Sequence, residues 1–443
     1  MNREVLLVNR NKEWALGLLK GAGAVFLTIV SGSMLGIIAR AIIARLLGAE
    51  SFGYYAYALS WELILFTIAQ LSLGITSLRF IPLYRSNNQW EYLKGFLQYT
   101  YILSGLLSCL ISLVTITILL LFRDDMKKGL VQTFLMMSLL LPLDSALMIV
   151  SRQVLSFRRP VAAQFPISVL RSVVQLLALA FIWLLPGDIL TGPITMLTYT
   201  MGTLAALVVT AGFLWHELPP NFSKMASVYE HKIWTRISIP LFLQDILRLV
   251  STRIDLIFVG IFLGTTNAGI YSVASLLSMT IMFGISAINQ IVVPRFSELH
   301  EKGDKDALQR LVTFASLIST AYGTATLLAI IVVGSNILAL FGEPFKQGYI
   351  SLVILACSLL VNSLAGSAGF LMNMTDHERF HLKLVTIASV VSLGGNLTLV
   401  PTLGLAGAAS ANALSMFVFQ IGAVFYIRRH LNINPTIFPF LNK

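Results

Sequence analysis

The chain has 443 residues, 56% hydrophobic and only 12% charged, with 31 Lys and Arg against 20 Asp and Glu. A mean hydropathy of +0.82 excludes an ordinary soluble domain and makes lipid the solvent of the fold. The net charge of +11 is spread over short connections instead of one patch, which argues against nucleic acid as a partner.

A bilayer core cannot hydrogen-bond exposed backbone, so only helices or closed barrels cross it. The apolar runs are about twenty residues long and do not alternate, which predicts helices. In chain order they cover 15–44, 54–78, 96–121, 129–150, 161–185, 193–215, 234–261, 268–293, 311–334, 348–374, 384–400 and 405–427. The start, with Arg3, Arg10 and Lys12 before an apolar run and no small-residue cleavage site, reads as an uncleaved cytoplasmic tail. The longest polar connection, His216 to His231, contains Pro219-Pro220 and divides the segments evenly. The expected fold is an all-α integral membrane protein with an N-terminal six-helix bundle at 1–215, a cytoplasmic linker at 216–233 and a C-terminal six-helix bundle at 234–443, around a central cavity.

With the N-terminus inside, connections on the cytoplasmic side carry about four times the Lys and Arg of the opposite side. The outer connections hold only Arg45, Arg123, Lys127, Lys128 and Lys346. Both termini are therefore expected in the cytoplasm.

Two stretches repeat one phrase: Leu47-Gly48-Ala49-Glu50-Ser51-Phe52-Gly53-Tyr54-Tyr55 and Leu263-Gly264-Thr265-Thr266-Asn267-Ala268-Gly269-Ile270-Tyr271. Each is written as a short loop closing one helix and opening the next. Pro186, Leu190, Gly192 and Met201 match Pro401, Leu405, Gly407 and Met416 at one constant offset. Halves with an even number of crossings keep the same orientation, so an axis along the membrane normal should relate them, as in transporters built from parallel repeats.

A charge at the bilayer centre costs about 2.5–3.5 kcal/mol on insertion scales, so intramembrane charges face protein or water. Lys20 and Arg236 lie near helix ends and read as snorkelling side chains. Gln244, Asp245, Arg248, Ser251, Thr252 and Asp255 follow three- and four-residue steps and share one helical face, which reads as a cavity-lining stripe. Arg253 points about 140° from Arg248 and should serve another surface. Arg40 shares a face with Ser33 and Gly36; Arg171, Asp144 and Glu62 lie inside the fifth, fourth and second segments, with their pairing open.

All six histidines fall in cytoplasmic connections or the tail, and no GxxxxGK[ST] loop occurs, so neither a metal site nor a catalytic centre is expected. Cys109 and Cys357 read as small packing residues inside apolar segments.

The run from Gly36 through Arg40 and Arg45 to Leu47-Gly48-Ala49, then Phe52-Gly53-Tyr54-Tyr55, resembles the start of bacterial polysaccharide-biosynthesis membrane proteins. Phe80-Ile81-Pro82, Pro294-Arg295-Phe296 and Pro401-Thr402-Leu403-Gly404-Leu405-Ala406-Gly407 look like phrases of the same family. It comprises the O-antigen and related lipid-linked oligosaccharide flippases of the multidrug/oligosaccharidyl-lipid/polysaccharide (MOP) exporter superfamily. The resemblance implies a transporter, not an enzyme, that turns an undecaprenyl-diphosphate-linked sugar unit to the outer leaflet of a bacterial inner membrane by alternating access. Where the lipid II flippase branch follows its first-helix arginine with aspartate, Arg40 is followed by Ala41, which argues against that branch.

A diphosphate with about two negative charges is best held by arginine forks in a low-dielectric cavity, so Arg40, Arg171 and Arg248 are the candidate substrate ligands. Asp245, Asp255, Glu62 and Asp144 are candidates for gating or for coupling to H+ or Na+; no other cofactor is expected. The expected partners are the lipid-linked oligosaccharide, membrane lipids and other glycan-assembly proteins. A multidrug antiporter of the same superfamily is the alternative, disfavoured by the excess of arginine. A membrane-embedded polymerase or ligase is a remoter one, disfavoured by short outer loops.

Overall fold

The computed structural model describes residues 2–186, 190–301, 304–366, 368–375 and 377–436, with side chains from residue 23 onward except for several within 287–303. Every regular element among the described residues is helical. Lys20 lies outside the described side chains.

Helix α1 (Asn2–Gln70) is broken only at Gly48, whose φ of 70° and ψ of 172° are non-helical. It is followed by α2 (Leu73–Ser86), α3 (Trp90–Leu121) and α4 (Lys128–Ser156). Next come α5 (Pro160–Phe165), a π turn at Pro166–Leu170, α6 (Arg171–Trp183) and α7 (Gly192–Glu217). The second half holds α8 (His231–Leu263), α9 (Thr265–Ser278), α10 (Met282–Glu301), α11 (Lys305–Ala339), α12 (Tyr349–Leu364), α13 (Ala368–Met374) and α14 (Glu378–Leu431), the last broken at Gly404.

Among the described residues nine helical stretches are long and apolar enough to cross a membrane. Helix α8 is absent from these because Asp245, Arg248, Arg253 and Asp255 crowd its middle. The loops expected at the repeated phrase reduce to single residues, Gly48 and Gly264, with φ of 70° and 86°. A left-handed backbone there suits glycine, so each helix turns without a connecting segment.

Two predicted segments divide. The run 54–78 breaks at Leu71 and Ser72, with φ of 46° and 53°, and 348–374 breaks at Gly366, with φ of 61°. Cys109 and Cys357 are exposed, which corrects their reading as packing residues. Cys109 lies on the side of α3 that also exposes Leu106, Leu110 and Leu113, which is the side available to lipid.

Lipid tails are as apolar as leucine, so helices associate through small residues and interhelical hydrogen bonds. Ser104, Ser108 and Ser112 recur every four residues along the buried side of α3. Ser104 bonds Ser145 of α4 at 2.7 Å, and Ser112 donates to the Ser138 carbonyl at 2.8 Å.

Helices α1–α7 pack chiefly on one another, with α4 touching α1, α2, α3 and α7. Helices α8–α14 do likewise, α14 lying along α8 and α12. The two halves meet where α1 crosses α9 and α8, and where α2 touches α8. Beyond Gly48, Phe52 and Tyr55 join Ile270, Val273 and Ala274 in one buried cluster, and Phe52 meets Phe345 edge-on at 5.5 Å. Near the chain's polar linker, the buried Trp234 of α8 donates to Tyr84 of α2 at 2.8 Å, which donates to Glu230 at 2.8 Å. Burial raises the pKa of the Tyr84 phenol, and Glu230 adds to the shift, so it remains a donor.

Candidate functional site

In the first half the chain prepares the position of Arg171 with a π turn, Pro166–Leu170, immediately before it. Such turns insert a residue into the helical ladder and re-aim the side chains of the next turn. Two glycines make room: a Cβ at Gly202 of α7 would lie 2.5 Å from the Arg171 carbonyl oxygen, and one at Gly32 of α1 would strike Ser168 inside the turn. Arg171 then reaches Asp144 of α4 at 3.1 Å, with side-chain exposures of 16% and 4%. Its guanidinium lies 4.9 Å from the centre of the Tyr199 ring, a cation–π contact strengthened by the dry surroundings.

Glu62 of α1 completes this group beside Asp144 and Arg171. Glu62 is buried, and its Oε1 finds no hydrogen-bond partner among the described residues. Two buried carboxylates thus stand beside one guanidinium, and of the two Asp144 makes the ion pair. Tyr55 accepts from Gln175 at 3.2 Å, and its ring lies 6.4 Å from that of Tyr199, the ring that Arg171 faces.

In the second half Asp255 is sealed. It accepts from Tyr271 of α9 at 2.6 Å, from Asn412 of α14 at 3.0 Å and from the Leu256 amide at 2.9 Å. Tyr271 stands in its copy of the repeated phrase where Tyr55 stands in the first. The carboxylate therefore acts as a junction of α8, α9 and α14, and does not line a cavity.

Two residues before it, Arg253 donates to the Met279 sulfur at 3.4 Å and lies in the field of Asp255 first, and then of Arg40 and Arg248. Among the described residues no carboxylate comes within ion-pair distance of Arg40 or Arg253. Arg248 is 74% exposed and makes a loose 3.8 Å contact with Asp245. Asp245 is also bonded across to the first half, accepting from Ser72 at 2.7 Å.

The predicted stripe on α8 consequently divides by depth. Asp245 and Arg248 look toward the first half, Ser251 bonds Ser415 of α14 at 3.3 Å, and Asp255 is enclosed. One helical face meets three different neighbours, because α14 and α9 close over it at successive levels.

Of the three candidate arginines, Arg171 is tied up by Asp144, Arg248 is exposed beside Asp245, and Arg40 makes no ion pair among the described residues. Helical geometry sends Arg253 to a surface other than that of Arg248, and there it meets Met279, just past α9. The repeat offers a second signal for it, since Arg40 precedes Gly48 by eight residues and Arg253 precedes Gly264 by eleven, one helical turn apart in register. Among the described residues no group of His, Cys, Asp and Glu could hold a metal ion. Four arginines, Arg40, Arg171, Arg248 and Arg253, stand with four carboxylates, Glu62, Asp144, Asp245 and Asp255, and among the described residues Arg40 and Arg253 are the two of these arginines without an ion pair.

Residues 18–300 match the family described as polysaccharide biosynthesis protein. The probable flippase AglR of Haloferax volcanii is 26% identical over 211 residues, covering 46% of this chain and 42% of that protein. The matched regions span less than half the length of the curated relatives. Among solved structures, the lipid II flippase MurJ in an inward closed conformation shares a TM-score of 0.72 at 12% identity, covering 91% of this chain and 87% of that one. An inward-facing multidrug resistance MATE family transporter of the MOP superfamily gives 0.70 at 15% identity, covering 92% and 98%. At such identities the likeness shows the fold.

Proposed function

We propose that this multi-pass membrane protein, which belongs to the polysaccharide biosynthesis protein family, turns a polyprenyl-diphosphate-linked oligosaccharide from the cytoplasmic to the outer leaflet. The observation that carries this reading is that Arg40 of α1 and Arg253 of α8, one from each half, have no carboxylate at ion-pair distance among the described residues. Arg40 and Arg253 are half-buried, and although Asp255 lies near Arg253 it makes no ion pair with it, so both guanidinium forks are open to the oxygens of a diphosphate. An organic cation would be repelled by the same site.

In this reading the halves 1–215 and 234–443 rock against each other as six-helix units, both termini facing the cytoplasm. Substrate binds between them, and Arg40, Arg253 and Arg248 contact its phosphates. Arg171 joins them when the phosphates displace Asp144 from its guanidinium, and Glu62, Asp144, Asp245 and Asp255 are the candidates for coupling translocation to H+ or Na+. The relatives' names supply the glycan part: AglR is a probable flippase, and Agl15 of the same organism is a probable low-salt glycan biosynthesis flippase. Both come from an archaeon, so the carrier is stated by its chemistry; undecaprenyl diphosphate in a bacterial inner membrane is the form inferred from the sequence phrases.

Binding to the purified full chain tests the reading. Farnesyl diphosphate should quench tryptophan fluorescence saturably, farnesol and ethidium should not, and Arg40→Ala with Arg253→Ala should abolish the response. Saturable ethidium binding with none by the diphosphate would favour the multidrug antiporter instead.

A further inference from the structure

The break between α1 and α2 is an unusual place for a chain to turn. Leu71 and Ser72 both adopt left-handed backbone, φ 46° and 53°, without being glycine. Such conformations persist only where surroundings impose them. Here both are held from the other half: Ser238 of α8 donates to the Leu71 carbonyl, and the Ser72 hydroxyl donates to Asp245 of α8 at 2.7 Å. Ser238 and Ser72 are buried.

Two further features show that the break is not at rest in its own half. Ser72 occupies the N-cap position of α2, yet its side chain caps nothing, being turned to Asp245. Beside it, the buried Gln70 Nε2 has no acceptor among the described residues. Ser72 therefore has two alternative uses, as a bond to α8 or as a cap for the exposed amides of α2. An element with two mutually exclusive bonding states is what a switch between two arrangements requires.

Asp245 connects this switch to charge. Its Oδ2 holds Ser72, while its Oδ1 faces Arg248 at 3.8 Å. The Asp245 side chain is 21% exposed and that of Arg248 74%, so the arginine can leave, whereas the carboxylate, held by Ser72, gains full hydration only when the halves move. Pro240, between Ser238 and Asp245, removes a helical bond from α8 and lowers the resistance to such movement.

We propose that Asp245 is a positioning residue that latches the halves together through Ser72 and releases them when an anion draws Arg248 away. With Arg248 beside it the carboxylate is compensated and the latch stays shut. An anion captured by Arg248 removes that compensation and places like charge nearby, and the carboxylate then gains most by hydrating, which requires the halves to part. The identity of the anion as a diphosphate rests on the function proposed above; the latch itself does not.

The test is a distance measurement on the full chain in nanodiscs, with Cys109 and Cys357 replaced by serine and spin labels on Ser86→Cys and Arg379→Cys. Without ligand, Ser72→Ala should move the distance distribution to longer values, and Ser238→Ala should do so to a smaller degree. Farnesyl diphosphate should shift the unsubstituted chain the same way. Arg248→Gln, which removes the compensation without any anion, should lengthen the ligand-free distance and lose the further shift, whereas Asp245→Asn should keep the short ligand-free distance and lose that shift, since asparagine still accepts from Ser72 but carries no charge. A ligand-free distribution unchanged in both serine variants overturns the latch. Farnesyl diphosphate that binds without moving the distance overturns the link to Arg248 and leaves the proposed function standing. Absence of binding overturns the link together with the diphosphate reading, and the serine variants still decide the latch.

Discussion

Gly53 and Gly269, the second glycines of the repeated phrase, lie backbone to backbone across the boundary between the halves: a Cβ at Gly269 would come within 2.8 Å of the Gly53 Cα. The repetition in sequence is thus also a contact in space. Overpacking such a crossing costs about 1–3 kcal/mol, so Gly269→Ala should lower the melting temperature in detergent, followed by tryptophan fluorescence. Gly36→Ala, with no atom within 4 Å of the added carbon, should leave it unchanged or slightly raised, since alanine favours helix over glycine.

At the first glycines the expected penalty has another origin. Nothing lies within 4 Å of a Cβ at Gly48 or Gly264, but their φ values are +70° and +86°. A side chain there forces left-handed backbone at about 1–2 kcal/mol. Gly48→Ala and Gly264→Ala should each destabilise the chain while Gly105→Ala, equally open and helical, does not. Equal melting temperatures for all three would show that the turns at Gly48 and Gly264 impose no conformational demand.

The group Arg171, Asp144 and Glu62 should behave as a unit. Arg171→Ala leaves two carboxylates facing each other in a dry site, and breaking a buried pair from one side typically costs about 3–5 kcal/mol. Arg171→Met combined with Asp144→Leu and Glu62→Gln should recover most of that loss in thermal unfolding yet fail to restore glycan export. Recovery of both would reduce the group to a structural pair.

Arg253 should matter as much as Arg40. Arg253→Ala is expected to reduce glycan export in cells at least tenfold at unchanged protein level, with Arg253→Lys intermediate because lysine keeps the charge without the fork. Export preserved in Arg253→Ala and lost in Arg248→Ala would restore the assignment made from the helical stripe.

Much of the helical layout is visible in the sequence because lipid demands long apolar runs, and the glycine phrase marks two sharp turns. The break at Leu71 and Ser72 leaves no such mark. Neither residue is glycine or proline, and what bends the chain there comes from Ser238 and Asp245, far along the sequence. The surroundings of Arg253 are hidden for a related reason. Its angle on an ideal helix separates it from Arg248, but what it meets there, Met279, is decided by how the chain past α9 packs on α8. The pairing of Arg171 with Asp144 depends on a π turn that periodicity does not reveal.

Translocation itself is the most direct measurement. Purified chain in proteoliposomes, supplied with a fluorescent polyprenyl-diphosphate oligosaccharide in both leaflets, should carry the lipid from one leaflet to the other saturably, at a rate reduced at least tenfold by Arg40→Ala with Arg253→Ala. A rate equal to that of protein-free liposomes, or one that the double substitution leaves unchanged, would contradict the account.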